Sequence, residues 1–275
     1  MSEKLEDVRS RLREAAIQQG INPRDVDLLL SDQLERPLSW IMAFGETAID
    51  PAPIEALLAR RLAGEPLQYI RRTTEFYSRE FYVDDRVLIP RPETEILVEA
   101  VLERTPRNGK VIDIGAGSGC IAITIERERP DLHVFAVDRS PGALAVTAKN
   151  CARLGASVRL AASDLLSAID GTFETIVSNP PYVPLSEYEE LAVEVRIHEP
   201  RMAITPGPSG MEIFERILVE SQTRLSPRGH LILEIGYGQE DAMRGLAKDE
   251  GFAVDAFLPD LAGIPRVVVL SKHGE

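Results

Sequence analysis

The sequence predicts an α/β fold: a largely parallel sheet covered by helices on both faces, preceded by a small helical domain and a β-hairpin. Three observations carry this. Short apolar runs alternate with helical patterns from Val111 to the last run, Arg266-Val267-Val268-Val269-Leu270, and such alternation argues for a sheet wound with helices. The first run ends in a glycine-rich turn that opens a helix. The fourth ends at two consecutive prolines.

Val111-Ile112-Asp113-Ile114 leads into Gly115-Ala116-Gly117-Ser118-Gly119, and Ile121-Ala122-Ile123-Thr124-Ile125 continues as a helix. Three glycines at alternate positions let a ligand approach the backbone, and the exposed amides of a helix N-terminus favour a carboxylate or phosphate. The spacing is not the G-x-G-x-x-G of dinucleotide sites, and the Lys-Ser/Thr ending of a P-loop is missing. A second run, Val134-Phe135-Ala136-Val137, ends at Asp138, an acid about twenty residues past the glycines and so placed for two ribose hydroxyls. Read alone, Asp138 equally suits a helix N-terminus before Pro141. Asp164 follows the run 158–162 and either accepts from an adenine amino group or simply closes a turn.

Thr175-Ile176-Val177-Ser178 runs into Asn179-Pro180-Pro181-Tyr182. Two prolines fix two φ angles and remove two backbone donors, so the local carbonyls stay out of a helix. Asn179 adds a side-chain acceptor and Tyr182 an aromatic face. A rigid, acceptor-rich corner suits a planar NH2 group; a plain proline-rich loop after a strand is the other reading.

Taken in order, the glycine loop, ribose acid, adenine acid and acceptor corner resemble the class I S-adenosylmethionine-dependent methyltransferases, whose domain is Rossmann-like. Further stretches narrow the resemblance: Gly64-Glu65-Pro66-Leu67-Gln68-Tyr69, Glu75-Phe76-Tyr77-Ser78, Leu88-Ile89-Pro90-Arg91-Pro92-Glu93-Thr94-Glu95, Glu199-Pro200, and Ala262-Gly263 with Arg266-Val267-Val268. They resemble the peptide chain release factor glutamine methyltransferases, protein-(glutamine-N5) methyltransferases, from about Gly64 onward; before that only helical character and length agree. The resemblance implies methylation of the side-chain amide of the glutamine in the Gly-Gly-Gln motif of class 1 release factors, with S-adenosyl-L-methionine as donor and no metal. It implies a cofactor site at Asp113, Gly115, Ala116, Gly117, Ser118, Gly119, Asp138, Asp164, Leu165 and Asn179. Substrate would lie against Asn179, Pro180, Pro181 and Tyr182, with Asn179, Pro180 and Tyr182 catalytic. Two departures stand out. Leu165 occupies a place that is aromatic in some relatives, and Arg71 replaces a usual glycine.

Two other substrates share the Asn-Pro-Pro-Tyr corner: a ribosomal-protein glutamine, and the exocyclic N6 amine of adenine in DNA. The 275 residues carry a formal net charge of −13, whereas neutralising DNA phosphates calls for a basic face. The chain holds 44% hydrophobic residues, enough for a packed core, and no run of about 18 apolar residues that would span a membrane. The charged start, Met1-Ser2-Glu3-Lys4-Leu5-Glu6-Asp7, argues against a secretory signal. Cys120 and Cys151 lack metal or redox spacing and fit a reducing compartment, so a cytoplasmic enzyme is expected. His133, His198, His230 and His273 are scattered and assigned no metal.

The expected division is a helical substrate-recognition domain over 1–71, a hairpin linker over 72–90 and the methyltransferase domain over 91–275. Leu5 to Leu12 and Ile54 to Leu62 have helical apolar spacing, punctuated by Pro23, Pro37, Pro51 and Pro53. Residues 76–83 and 87–89 read as two strands about Asp84-Asp85. Pro92-Glu93-Thr94-Glu95 opens a helix, and the stretch 184–210, rich in proline and charge, reads either as a loop over the substrate or as a plain surface insertion.

Overall fold

Apolar residues three and four apart fold the first part of the chain into helices in a computed structural model that describes residues 2–272. His273 lies outside the described residues. The chain divides into two units: the residues up to Arg72 together with Val193–His198, and Thr73–Ala192 together with Glu199 onward.

The first unit holds α1 (Leu5–Gln18), α2 (Arg24–Leu34), α3 (Leu38–Ala43), α4 (Ala52–Leu62) and α5 (Leu67–Arg71), with a two-residue ladder of β1 (Glu3–Lys4) and β2 (Ala48–Ile49). Pro23, Pro37, Pro51 and Pro66 stand at helix N-caps, where a missing N–H costs nothing. Leu5, Val8 and Leu12 of α1 meet Val26, Leu29 and Leu30 of α2 in a dry core. Arg61 reaches Asp25 at 2.8 Å and Glu194 at 2.7 Å, which ties Val193–His198 to this unit. Arg71 forks onto Asp32 at 2.6 and 3.1 Å.

The second unit begins with the hairpin of β3 (Thr73–Phe76) and β4 (Arg79–Tyr82). The expected strands about Asp84-Asp85 are corrected. The turn is Tyr77-Ser78, both left-handed with φ of 50° and 56°, the geometry that closes a two-residue hairpin with the right twist. Residues 87–89 form no strand; Asp84 instead accepts from Tyr82 and Arg86 and curls the chain. The hairpin is also no free linker, because Phe76 and Phe81 are buried in the second unit's core.

A seven-stranded sheet follows: β5 (Lys110–Ile114), β6 (His133–Asp138), β7 (Arg159–Ala162), β8 (Phe173–Ser178), β9 (Leu225–Glu234), β10 (Phe252–Pro259) and β11 (Pro265–Lys272). Its order is β10-β11-β9-β8-β5-β6-β7, parallel throughout except that β11 runs against both neighbours. Successive strand residues bury on opposite faces. Val111, Val134 and Val177 pack with α6 (Thr94–Arg104) and α7 (Cys120–Glu128). Ile112, Ile176 and Leu231 pack with α11 (Glu212–Arg224) and α12 (Glu240–Asp249). Between them in the chain come α8 (Pro141–Leu154), α9 (Leu185–Tyr188) and α10, the Val193–His198 helix of the first unit. The strand order reverses between β5 and β8, and in open α/β sheets the crevice beyond the strand ends at such a reversal receives ligands. No helix among the described residues is long and apolar enough to cross a membrane.

Candidate active site

A cleft of about 1090 Å³, its open mouth included, lies beyond the carboxyl ends of these strands. The glycine loop forms its floor. Gly115 and Ala116 donate their N–H groups to Val137 O at 2.8 and 2.9 Å, which binds the loop to the end of β6. Gly115, Gly117 and Gly119 have φ of 80°, 55° and 82°, a region closed to residues with a Cβ except at a cost. A Cβ on Gly115 would meet no protein atom within 4 Å, so this stretch of backbone stands bare. At Gly119 the reason differs: a Cβ there would come within 2.7 Å of Thr147 Cγ2. Asn150 of α8, fully buried, braces the loop by donating to Ser118 O at 2.8 Å and to Tyr82 O at 2.9 Å.

Asp138 sits at the end of β6 with one oxygen accepting from Gly117 N at 3.0 Å and the other from Ser140 N at 2.8 Å. Each carboxylate oxygen keeps capacity for a further donor. Past β7, Asp164 accepts from Arg216 at 3.0 Å, and Leu165 follows in a left-handed conformation with φ 52°. A non-glycine residue there costs about 1–2 kcal/mol. Such strain persists where surrounding structure requires a side chain in that place, and Leu165 walls the cleft.

The acceptor corner closes the far side. Ser178 ends β8 and donates to Ile114 O at 2.7 Å, locking β8 to β5 at the switch point. Asn179, Pro180 and Pro181 then line the cleft. The corner is held from behind. Gln239 donates to Tyr182 O at 3.0 Å, and a Cβ on Gly210 would lie 2.5 Å from that oxygen. Asn179 Nδ2 donates to Thr94 Oγ1 at 3.1 Å, and Thr94 in turn donates to Glu234 Oε2 at 2.7 Å. Part of the 184–210 stretch also reaches the cleft, through Pro200, Met202 and Ala203. Glu199, just before, accepts from Ile89 N at 3.1 Å and pairs with Arg91.

Gly115, Ala116, Gly117, Ser118, Asp138, Asp164, Leu165, Asn179, Pro180 and Pro181 thus come together around one cleft. Three expected residues do not line it. Gly119 is the N-cap of α7. Asp113 is fully buried beneath the loop, accepting from Ala122 N at 3.2 Å. Burial, reinforced by the nearby charge of Asp138, pushes the Asp113 carboxyl up to about 7, and one of its oxygens has no partner. Tyr182 follows the lining residues Asn179, Pro180 and Pro181 without lining the cleft itself. It is partly buried against the core cluster that includes Phe214 and Ile235, and its hydroxyl points to Glu234 Oε1 at 3.4 Å. Burial raises the Tyr182 hydroxyl well above the ordinary phenol range.

Sequence reading missed Thr94 and Glu234. Thr94 lay hidden in a segment that reads as a helix start. The signal for Glu234 was a carboxylate directly after Leu231-Ile232-Leu233, the apolar run of a central strand. Burial drives its carboxyl up to about 7, against the hydrogen bonds from Thr94 and Tyr182. Cys120 also lines the cleft, but burial pushes its thiol up to about 12, which leaves little thiolate for nucleophilic work. Among the described residues no cluster of three or more His, Cys, Asp or Glu side chains is placed to hold a metal.

Comparison with known proteins agrees with this geometry. Residues 92–240 match the methyltransferase small domain family, and residues 3–71 match the PrmC N-terminal domain family. A release factor glutamine methyltransferase of Koribacter versatilis is 45% identical over 91% of this chain and 92% of its own. One of Geobacter sulfurreducens is 42% identical over 79% of this chain and 77% of its own. The crystal structure of a methyltransferase from Pyrococcus furiosus superposes with a TM-score of 0.56 at 20% identity, covering 79% of this chain and 98% of that one, which speaks to the fold. With a sheet that reverses at the cleft, a bare glycine loop, an acceptor corner and relatives matched over most of its length, the chain belongs to the release factor glutamine methyltransferase family.

Proposed function

We propose that the chain transfers a methyl group from S-adenosyl-L-methionine to the side-chain amide nitrogen of the glutamine in the Gly-Gly-Gln loop of a class 1 peptide chain release factor, in the cytoplasm and without a metal. The observation that carries this reading is the corner itself. Asn179 lines the cleft with its NH2 end already engaged by Thr94, which leaves Oδ1 as its free polar end.

The cleft suits the donor. Bare backbone at Gly115 and Gly117 admits a close ligand, and Asp138 stands at the end of the neighbouring strand for paired hydroxyls. Asp164 and Leu165 form the wall where an adenine would rest. S-adenosylmethionine, when bound, supplies an electrophilic methyl on a sulfonium. The difficulty lies with the acceptor, because an amide lone pair is delocalised into its carbonyl and is a poor nucleophile.

Asn179 Oδ1 and the Pro180 carbonyl each accept one N–H of the substrate amide. As that nitrogen becomes positive, both hydrogen bonds strengthen, so the corner binds the transition state more tightly than the ground state. Pro180 and Pro181 keep the carbonyl aimed by denying it a helix. Tyr182 acts from behind, through packing and through Glu234, and the departing proton passes to water.

Labelled S-adenosylmethionine offered separately to a class 1 release factor, to the same factor with its Gly-Gly-Gln glutamine replaced, to ribosomal protein and to duplex DNA tests this. Label on the intact factor alone is expected. Label on DNA or on the glutamine-replaced factor overturns it.

A further inference from the structure

A carboxamide presents an acceptor at one end and a donor at the other, and the two are nearly the same size. If Asn179 is to accept from a substrate N–H, its oxygen must face the cleft. The flipped side chain would aim its own N–H groups at the substrate's N–H groups. Nothing about asparagine decides between the two; its neighbours do.

The neighbours decide it by donor arithmetic. Glu234 ends β9, only 2% exposed, next to the end of β8 on one side and facing Val267 of β11 on the other. In its ionised form, the one populated above about pH 7, Glu234 can only accept, and its Oε2 takes the hydroxyl proton of Thr94 at 2.7 Å. Thr94 is also 2% exposed, and a threonine hydroxyl carries a single proton. With that proton given to Glu234, Oγ1 acts toward Asn179 only as an acceptor. Asn179 must therefore present Nδ2, which it does at 3.1 Å, and Oδ1 is turned away. The second oxygen of Glu234 faces the hydroxyl of Tyr182 at 3.4 Å, so one carboxylate touches both ends of the corner.

A buried carboxylate with so few partners is expensive, and replacing such a group by a neutral one is often neutral or stabilising. Glu234 is thus poorly explained as a device for stability, and its elevated titration, driven by burial, agrees with that cost.

We infer that Thr94 and Glu234 are positioning residues: the relay Glu234–Thr94–Asn179 sets the orientation of the Asn179 carboxamide and so fixes which atom the substrate amide meets. The inference rests on the acceptor role given to Asn179 above.

Two readouts test it. In the methyl-transfer assay, Thr94→Val removes the relay while keeping the branched shape. It should lower kcat about 10- to 100-fold, the worth of a hydrogen bond to a charged group, with S-adenosylhomocysteine affinity and KM for the release factor little changed. Thr94→Ser, which keeps the hydroxyl, should recover most of that loss. Glu234→Gln allows the relay to run in either sense and should fall between. Wild-type kcat in Thr94→Val, or equal losses in the Val and Ser variants, overturns the inference. The second readout needs no turnover. The chain has four asparagines, so the Nδ2 signal of Asn179 in 15N-asparagine-labelled protein is assigned by its loss in Asn179→Asp. Its two proton shifts should stand apart in wild type and in Thr94→Ser and draw together in Thr94→Val. Unchanged shifts in Thr94→Val sink the relay even if the release factor proves not to be the substrate. Absence of transfer by wild type with the expected shifts removes the functional reading and leaves the orientation standing.

Discussion

β5 and β8 are neighbours in the sheet, and their ends solve opposite problems. β5 runs out into backbone with three glycines at positive φ, where recognition depends on having no side chain. β8 runs out into two prolines, where recognition depends on a backbone that cannot move and on one carboxamide turned the right way. The loop's requirements are steric and local, written in five consecutive residues. The corner's requirements are polar and distant, because Thr94 lies 85 residues before Asn179 and Glu234 140 residues after Thr94 in the chain. Freedom can be specified by a short motif; orientation needs a network.

Asn179→Ala gives the largest contrast. Loss of one preorganised partner at the developing charge should lower kcat about 10²- to 10³-fold while the protein stays folded. Steady-state transfer with a melting curve alongside measures both, and wild-type turnover would break the account of the corner.

On the loop side the prediction is a pair. Gly119→Ala meets forbidden φ and a Thr147 methyl at 2.7 Å, so it should destabilise by roughly 2–4 kcal/mol. Gly115→Ala carries similar φ but meets no protein atom within 4 Å. Its stability loss should stay at roughly 1–2 kcal/mol, while its new methyl intrudes on the ligand and weakens S-adenosylhomocysteine binding. Denaturant melts and calorimetric titration separate the two effects. Equal stability losses would mean that space plays no part at Gly119.

The same contrast explains what was legible in the sequence. The strands beneath the site, the glycine loop and the proline corner are contiguous and could be read. The hairpin turn at Tyr77-Ser78 could not, because neither residue announces positive φ and the apolar pattern runs on through Val83. Asp113 was legible as an acid before glycines. That it lies under the loop and caps α7, instead of facing a ligand, follows only from the alternation of β5 side chains across the sheet. Tyr182 was expected to face the substrate as an aromatic surface; that its ring also packs against the core and its hydroxyl turns to Glu234 was not legible.

A buried carboxylate stands behind each of these two sites, Asp113 in β5 and Glu234 at the end of β9 beside β8, and pH sharpens the comparison between them. Burial raises Asp113 and Glu234 to about 7, from 3.8 and 4.5. Asp113 faces Asp138 and the Ala122 N–H; Glu234 faces Thr94, Tyr182, Glu93 and Arg266. The folded chain therefore holds protons that the unfolded chain has released. The contribution of both groups to stability is fully present below about pH 4 and is lost as pH rises through about 7. Glu234→Gln removes one of them, so its advantage over wild type should grow from pH 5 to pH 8 to on the order of 2 kcal/mol. Melting temperatures across that range measure it. The variant should be more stable and slower at once. A parallel pair of curves would mean that Glu234 stays ionised in the fold.

The end of β7 offers a third case, neither bare nor rigid. Leu165 holds φ 52° and lends an aliphatic side chain to the cleft wall. Both leucine and phenylalanine carry a Cβ, so Leu165→Phe leaves the backbone strain as it is and adds a flat ring. If that wall lies against an adenine, offset stacking should add about 0.5–1.5 kcal/mol, or roughly two- to tenfold tighter S-adenosylhomocysteine binding by calorimetry. The methyl-transfer rate at saturating donor should hardly move, because the change alters the wall proposed for the adenine and leaves the residues of the acceptor corner as they are. Unchanged or weaker affinity would place the adenine elsewhere and leave Leu165 as a wall with no planar ligand behind it. A gain would put β7 with β5, as a strand end whose contribution depends on shape alone.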